Sequence, residues 1–158
     1  MPEPIRDYQL SSTLKLTMTE VLAIHCGDYR FQSAFNEFLS RTLKLDGNYD
    51  LMVVPGGPLS LTLAQYRPNF YSSSWEWLRF FVENHQVRRL ILIQHQDCAF
   101  YRTMPHHLHT STDPRQRQEQ DLRRATQALN KELRHLIVEL YYAGWNSSDR
   151  ITIESVSL

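Results

Sequence analysis

Three short apolar runs, each stopped by polar or turn-forming residues, constrain this chain more than any other feature. They are VLAIHC at 21–26, YDLMVV at 49–54 and VRRLILIQ at 87–94. The first reads as a buried strand and the other two as strands, the third being the most apolar. Between the first two, the apolar period changes: Phe31, Ala34, Phe35, Phe38, Leu39 and Thr42 recur at helical spacing, and Gly47 and Asn48 then mark a turn. After the second run, Pro55-Gly56-Gly57-Pro58 stops the strand, and residues 59–71 read equally as a short helix or a long loop. Ser72, Ser73 and Ser74 offer N-caps for a helix reaching Asn84, with Glu76 completing a capping box from Ser73. Strands separated by helices favour parallel pairing, because a parallel connection needs room for a crossover.

The C-terminal half continues the alternation. Residues 103–113 read as a loop carrying His106, His107 and His109. Asp113 and Pro114 supply a cap and a first turn. Leu122, Ala125, Leu129, Leu133, Leu136, Ile137 and Leu140 then share one apolar stripe. That spacing predicts one helix ended by Gly144, roughly 40 Å long. The closing RITIESVSL alternates apolar and polar residues from Ile151 and predicts a last strand at a sheet edge. The expected fold class is α/β: a mostly parallel central sheet with flanking helices, in one domain over 1–158, with 1–18 as a polar N-terminal arm.

Composition narrows the function classes. The 17 Lys and Arg residues balance 17 Asp and Glu, which argues against a broad electrostatic footprint for nucleic acid. No apolar run approaches the length of a membrane span, and the N-terminus lacks a basic segment followed by an apolar one. A soluble, cytoplasmic protein with no membrane partner is expected. Two cysteines, Cys26 and Cys98, are too few for a secreted disulfide scaffold.

Residues with chemical potential sit where strands end. Cys26, Asp28 and Arg30 follow the first strand; His95, Asp97 and Cys98 follow the third. Ligands in open α/β sheets bind beyond the carboxyl ends of the strands, so if the two strands are neighbours both clusters share one rim. Two thiolates and one imidazole suit zinc with a fourth position open for water. Each residue also has a plainer reading. A lone cysteine is most often a small buried hydrophobe. Asp28 and Arg30 could pin a turn as a local salt bridge, Asp97 could cap the next turn, and the cysteines could serve redox chemistry without metal.

The paired motifs Cys26-Gly27-Asp28-Tyr29-Arg30 and His95-Gln96-Asp97-Cys98 resemble those of the β-class carbonic anhydrases. The resemblance in order and spacing runs from about residue 20 to about residue 100. It implies zinc held by Cys26, His95 and Cys98, with Asp28 and Arg30 as the catalytic dyad beside the metal. It implies zinc-dependent reversible hydration of carbon dioxide to bicarbonate, zinc hydroxide being the nucleophile, in a homodimer. In some members the aspartate binds zinc directly and closes the site, and opens it by pairing with the arginine. The alternative is a non-catalytic, zinc-stabilised domain with a structural or interaction role. Three positions depart from the family pattern: Tyr29 replaces serine, Ala99 replaces glycine after the second cysteine, and Pro55-Gly56-Gly57-Pro58 replaces an arginine–asparagine–alanine–glycine segment.

Two further expectations concern neighbouring residues. A proton shuttle is sought among His25, His106, His107 and His109, since imidazole titrates nearest neutral pH. Strand alternation points His25 away from the face of Cys26. Trp75 and Trp77 cannot share one helical face, so one of them is exposed or at an interface.

Overall fold

The computed structural model describes residues 10–105 and 111–158. The elements run β1 (Val21–His25), α1 (Gln32–Glu37) with a π-helical continuation (Phe38–Thr42), β2 (Asp50–Val53), a 3-10 turn (Gly57–Thr62) and α2 (Pro68–Asn84). They continue with β3 (Arg89–His95), α3 (Ala99–Arg102), α4 (Pro114–Glu132), β4 (Ile137–Trp145) and β5 (Ile151–Ser155). The five strands form one sheet in the order β2-β1-β3-β4-β5, parallel except for β5, which pairs antiparallel with β4. This is the α/β architecture expected, with the last strand at a sheet edge.

Both faces of the sheet are covered, which is why its central strands read as continuous apolar runs. On one face Leu22, Ile24, Leu90, Leu92 and Leu140 pack beneath Trp75 and Leu78 of α2 and Leu122, Ala125 and Leu129 of α4. On the other face Ala23, Ile91, Ile93 and Ala143 meet Phe31, Phe35, Phe38 and Leu39. Phe35 and Leu78 are fully buried, and each such side chain contributes roughly 1.5–3 kcal/mol. Trp75 is buried and Trp77 is 47% exposed, the split that their spacing requires.

Two elements depart from the sequence reading. The predicted 40 Å helix stops at Glu132, and residues 137–145 form β4. Leu133, Leu136, Ile137 and Leu140 keep helical spacing, but Leu136 belongs to the connecting turn and Ile137 is 65% exposed at the strand's start. Gly144 is accordingly a strand residue. A Cβ there would stand 2.9 Å from Gln96 Oε1, which accepts a hydrogen bond from the Trp145 amide. The second departure is α2, which begins at Pro68 rather than at the serines. Proline suits the first turn, where its missing N–H has no intrahelical partner. Ser74 is instead buried inside the helix. Asp113 does cap α4, its carboxylate accepting from the Arg115 amide at 2.9 Å.

The sheet order places the functional residues. The chain leaves β1 towards β2 on one side, and β3 returns on the other side of β1. The carboxyl ends of β1 and β3 therefore flank a topological switch point, where a crevice opens in folds of this kind. Residues 10–20 carry no regular structure and are largely exposed, while residues 1–9 of the expected arm lie outside the described residues. No helix among the described residues is long and apolar enough to cross a membrane.

Candidate metal centre

Cys26 directly follows β1, His95 ends β3, and Cys98 caps the short helix α3. Their ligand atoms lie within 4.8 Å of one another, although 69 residues of chain separate the first from the second. Among the described residues this is the one cluster of its kind, and all three members are buried.

Its geometry suits a tetrahedral cation. The Cys26 and Cys98 sulfurs are 3.8 Å apart, far beyond a disulfide bond. Two sulfurs each about 2.3 Å from a tetrahedral zinc would stand about 3.8 Å apart. His95 Nδ1 lies 2.9 Å from the Gln96 carbonyl, which can only accept, so Nδ1 carries the proton. The lone pair is left on Nε2, a buried atom with no hydrogen-bond partner. An orphaned buried nitrogen is costly, and a metal ion is the partner that imidazole in this tautomer suits. The donor set and its geometry thus fit zinc.

The two thiols hold their protons unequally. Cys26 is driven towards the thiolate chiefly by the Cys98 thiol donating to it, with the Gly56 amide helping against the cost of burial. Cys98, as donor beside that negative charge and itself buried, is driven the other way. Pro55-Gly56-Gly57-Pro58 folds directly over this pair. Gly56 and Gly57 have φ of +74° and +54°, and a Cβ on Gly57 would stand 2.9 Å from the Cys26 amide nitrogen. Both open readings of this segment hold: it is a tight strand exit, and Pro55 lines the cavity above Cys26.

That cavity, of about 730 Å³, opens at the switch point and is lined by Cys26, Asp28, Arg30, Val53, Val54, Pro55, Ala99, Phe100, Arg102 and Thr103, with Gly27 and Tyr29 at its rim. Asp28 and Arg30 face each other in a two-pronged pair: Arg30 Nε donates to Oδ1 at 3.0 Å and Nη2 to Oδ2 at 2.7 Å. Arg30 holds the Asp28 carboxyl below its ordinary range, and Asp28 and Asp97 push the guanidinium higher still. The structure thus brings Cys26, Asp28, Arg30, His95 and Cys98 to one rim. Tyr29 is 86% exposed.

Other sequence-predicted residues fall elsewhere. His25 is buried with its ring 4.5 Å from Phe35, and donates from Nδ1 to the Cys26 carbonyl at 2.9 Å. Burial lowers its pKa, and it takes no part in lining the cavity. His106, His107 and His109 lie outside the described residues. Sequence reasoning missed Gln32, which donates to the carbonyls of Cys26 (3.0 Å) and Asp28 (2.9 Å) and so fixes the loop carrying both. Only its position as the first residue of α1, just after the motif, could have signalled that.

The fold has clear structural relatives. A carbonic anhydrase from Glaciozyma antarctica superposes with a TM-score of 0.58 at 15% identity, over 92% of this chain and 86% of that one. A β-carbonic anhydrase from the protozoan Trichomonas vaginalis gives 0.60 at 10% identity, over 95% and 90%. The β-carbonic anhydrase CafA of Aspergillus fumigatus gives 0.50 at 14% identity, over 89% and 77%. These identities establish a shared fold. No curated protein matches the chain by sequence. The sequence profile of one family, described as "Putative carbonic anhydrase", matches residues 16–154, from ahead of β1 into β5. With its motifs gathered on the rim of a β-carbonic-anhydrase fold, the chain belongs to that family.

Proposed function

We propose that this protein catalyses the zinc-dependent reversible hydration of carbon dioxide to bicarbonate. The observation that carries the reading is a Cys26–His95–Cys98 triad of zinc dimensions whose Cys26 shares a cavity with the Asp28–Arg30 pair. Cys26, His95 and Cys98 would hold the metal, which when bound supplies Lewis acidity sufficient to make a water nucleophilic near neutral pH.

The chain's own residues set the rest. Asp28, kept ionised by Arg30, orients the attacking water by accepting its O–H. A carboxylate has about four acceptor sites. Oδ1 takes the Arg30 amide and Nε, whereas Oδ2 takes Nη2 and only a long 3.3 Å contact from Nε, so Oδ2 keeps room for a further donor. Val53, Val54, Pro55, Ala99 and Phe100 give the cavity an apolar wall suited to a small uncharged molecule. Arg102 and Thr103 on the same cavity give an anionic product a polar side from which to leave.

A purely structural zinc site normally takes four protein ligands. No fourth ligand joins the triad among the described residues, and Asp28 is engaged by Arg30. This supports the catalytic reading over the structural one. The test is zinc content together with stopped-flow carbon dioxide hydration, on protein purified without chelator beside Cys98→Ser. The parent should carry about one zinc per chain and hydrate carbon dioxide, and the variant should lose both. Zinc without hydration would leave the non-catalytic domain as the better account. No zinc after reconstitution under reducing conditions would remove the metal assignment.

A further inference from the structure

Asp97 stands between His95 and Cys98, yet its side chain faces neither of them. It reaches across the crevice to the loop after β1. Arg30 Nη1 donates to Asp97 Oδ2 at 3.0 Å, and Arg30 Nη2 donates to the Asp97 backbone carbonyl at 3.0 Å. The other carboxylate oxygen of Asp97 is taken by Arg102 Nη1 at 3.0 Å. The four residues form a row of alternating charge, Asp28–Arg30–Asp97–Arg102, that ties the loop bearing Cys26 to the loop bearing His95 and Cys98.

Asp97 can reach Arg30 twice because its backbone is left-handed, with φ of +53°. Side-chain-bearing residues rarely adopt that conformation, though Asp and Asn tolerate it best. The turn aims both the carbonyl and the carboxylate at one guanidinium. Arg30 then has a carboxylate on each side: Asp28 takes Nε and Nη2, and Asp97 takes Nη1. The ring of Trp145 lies 5.7 Å from the guanidinium carbon.

We propose that Asp97 is a positioning residue: it clamps Arg30, and through Arg30 it fixes the direction in which Asp28 presents its carboxylate to the cavity. Exposure separates this role from a stabilising one. The Asp97 side chain is 41% exposed and that of Arg30 35%, and ion pairs so open to water add little to stability. Orientation is what the double contact supplies, since a guanidinium bound on one edge only can swing about its own bonds. Arg102, bound to the far oxygen of Asp97, steadies the clamp from α3. The effect on turnover rests on the hydration reading above; the clamp itself does not.

The test uses Asp97→Asn, which keeps shape and tolerates the left-handed turn while removing the charge. Nitrogen-15 NMR of the arginine side chains reads the clamp directly, without metal or activity. In the parent, Arg30 should show slow rotation about its Cζ–Nε bond, with its Nη protons separately resolved. In Asp97→Asn that rotation should become fast and the signals should merge, with the thermal midpoint nearly unchanged. Arg102→Gln should move the same signals in the same direction by less. In the zinc-loaded protein, Asp97→Asn should lower kcat about tenfold with KM and zinc content little altered, and the cobalt-substituted form should change its visible spectrum as Asp28 reorients.

Unchanged Arg30 signals in Asp97→Asn overturn the clamp, whatever the activity. Arg30 signals that are slow in the parent and freed in Asp97→Asn, in a parent that lacks hydration activity, uphold the clamp and remove the hydration reading instead. Freed signals with a parent-like kcat and cobalt spectrum also overturn the proposal, because Arg30 would then not be directing Asp28.

Discussion

A methyl group added at Gly57 would stand 2.9 Å from the Cys26 nitrogen and 3.0 Å from the His25 carbonyl carbon. Both are backbone atoms at the start of the candidate centre and cannot turn aside. The left-handed φ of +54° adds a conformational penalty for any L-residue. Gly57→Ala should therefore lower unfolding free energy by about 2–4 kcal/mol, measured by urea denaturation of the metal-free protein, and should weaken zinc retention. Gly56→Ala makes the useful contrast. Its added methyl meets the Phe100 ring at 2.5 Å, a side chain that can move, so its cost should be the smaller. A cost at Gly57 under about 1 kcal/mol would mean that the segment can lift off Cys26. At this scale the chemistry was legible because the motif residues stand within a few positions of one another, after apolar runs. Gly57 and the reach of Asp97 were not, because packing brings their partners from distant positions in the chain; Gln32 was not, because its acceptors are backbone carbonyls, which any residue supplies.

The pairing of β3 with β4 carries a half-buried ion pair that makes stability depend on pH. Arg89 donates to both oxygens of Glu139, at 2.6 and 3.0 Å, and the Tyr141 hydroxyl donates to Oε2 at 2.8 Å. The two charged side chains are 30% and 28% exposed. Arg89 above all, with Tyr141, holds the Glu139 carboxyl below its ordinary 4.5. A carboxyl whose folded pKa is depressed binds fewer protons folded than unfolded, so its stabilisation is fully present above pH 4.5 and fades as pH falls through the lower folded value. Glu139→Gln should cost on the order of 1 kcal/mol at neutral pH and flatten the acid limb of the stability profile; an acid limb identical to the parent's would assign that loss to other carboxylates. The same strand explains the one large misreading among the elements. The apolar stripe of α4 runs on in helical register through Leu133, Leu136 and Leu140, although the backbone turns at 133–136. No glycine or proline marks that turn, so periodicity alone carried the helix too far. The strands β1 and β3 were legible because sheet burial on both faces leaves an unbroken apolar run, whereas β2 was legible from its apolar run alone, Leu51 and Val53 staying exposed.

At the scale of the molecule, the edge of the sheet at β2 bears on the site. Among the described residues no strand pairs with its outer side. Leu51 and Val53 on that edge are each 43% exposed, and Trp77 and Phe80 of α2 beside them are 47% and 53% exposed. These residues line an apolar hollow of about 340 Å³. An open strand edge beside exposed aromatic residues is a surface that folded proteins ordinarily cover. Val53 and Val54 line both this hollow and the cavity above Cys26. A second copy seated on the β2 edge would therefore also wall the candidate site. That cavity, at about 730 Å³, is of a size that accommodates drug-like ligands and far exceeds what one triatomic molecule needs. We therefore expect a homodimer, with a mass in light scattering twice the 18.7 kDa of the chain. Leu51→Lys places a charge on the edge without touching the triad or the Asp28–Arg30 pair. It should yield a folded monomer that retains zinc and hydrates carbon dioxide more slowly, because the cavity has lost its second wall. A monomeric parent would remove the dimer. A dimeric Leu51→Lys protein would move the interface to another face, and the β2 edge would then need a different reason for its exposed Leu51, Val53, Trp77 and Phe80.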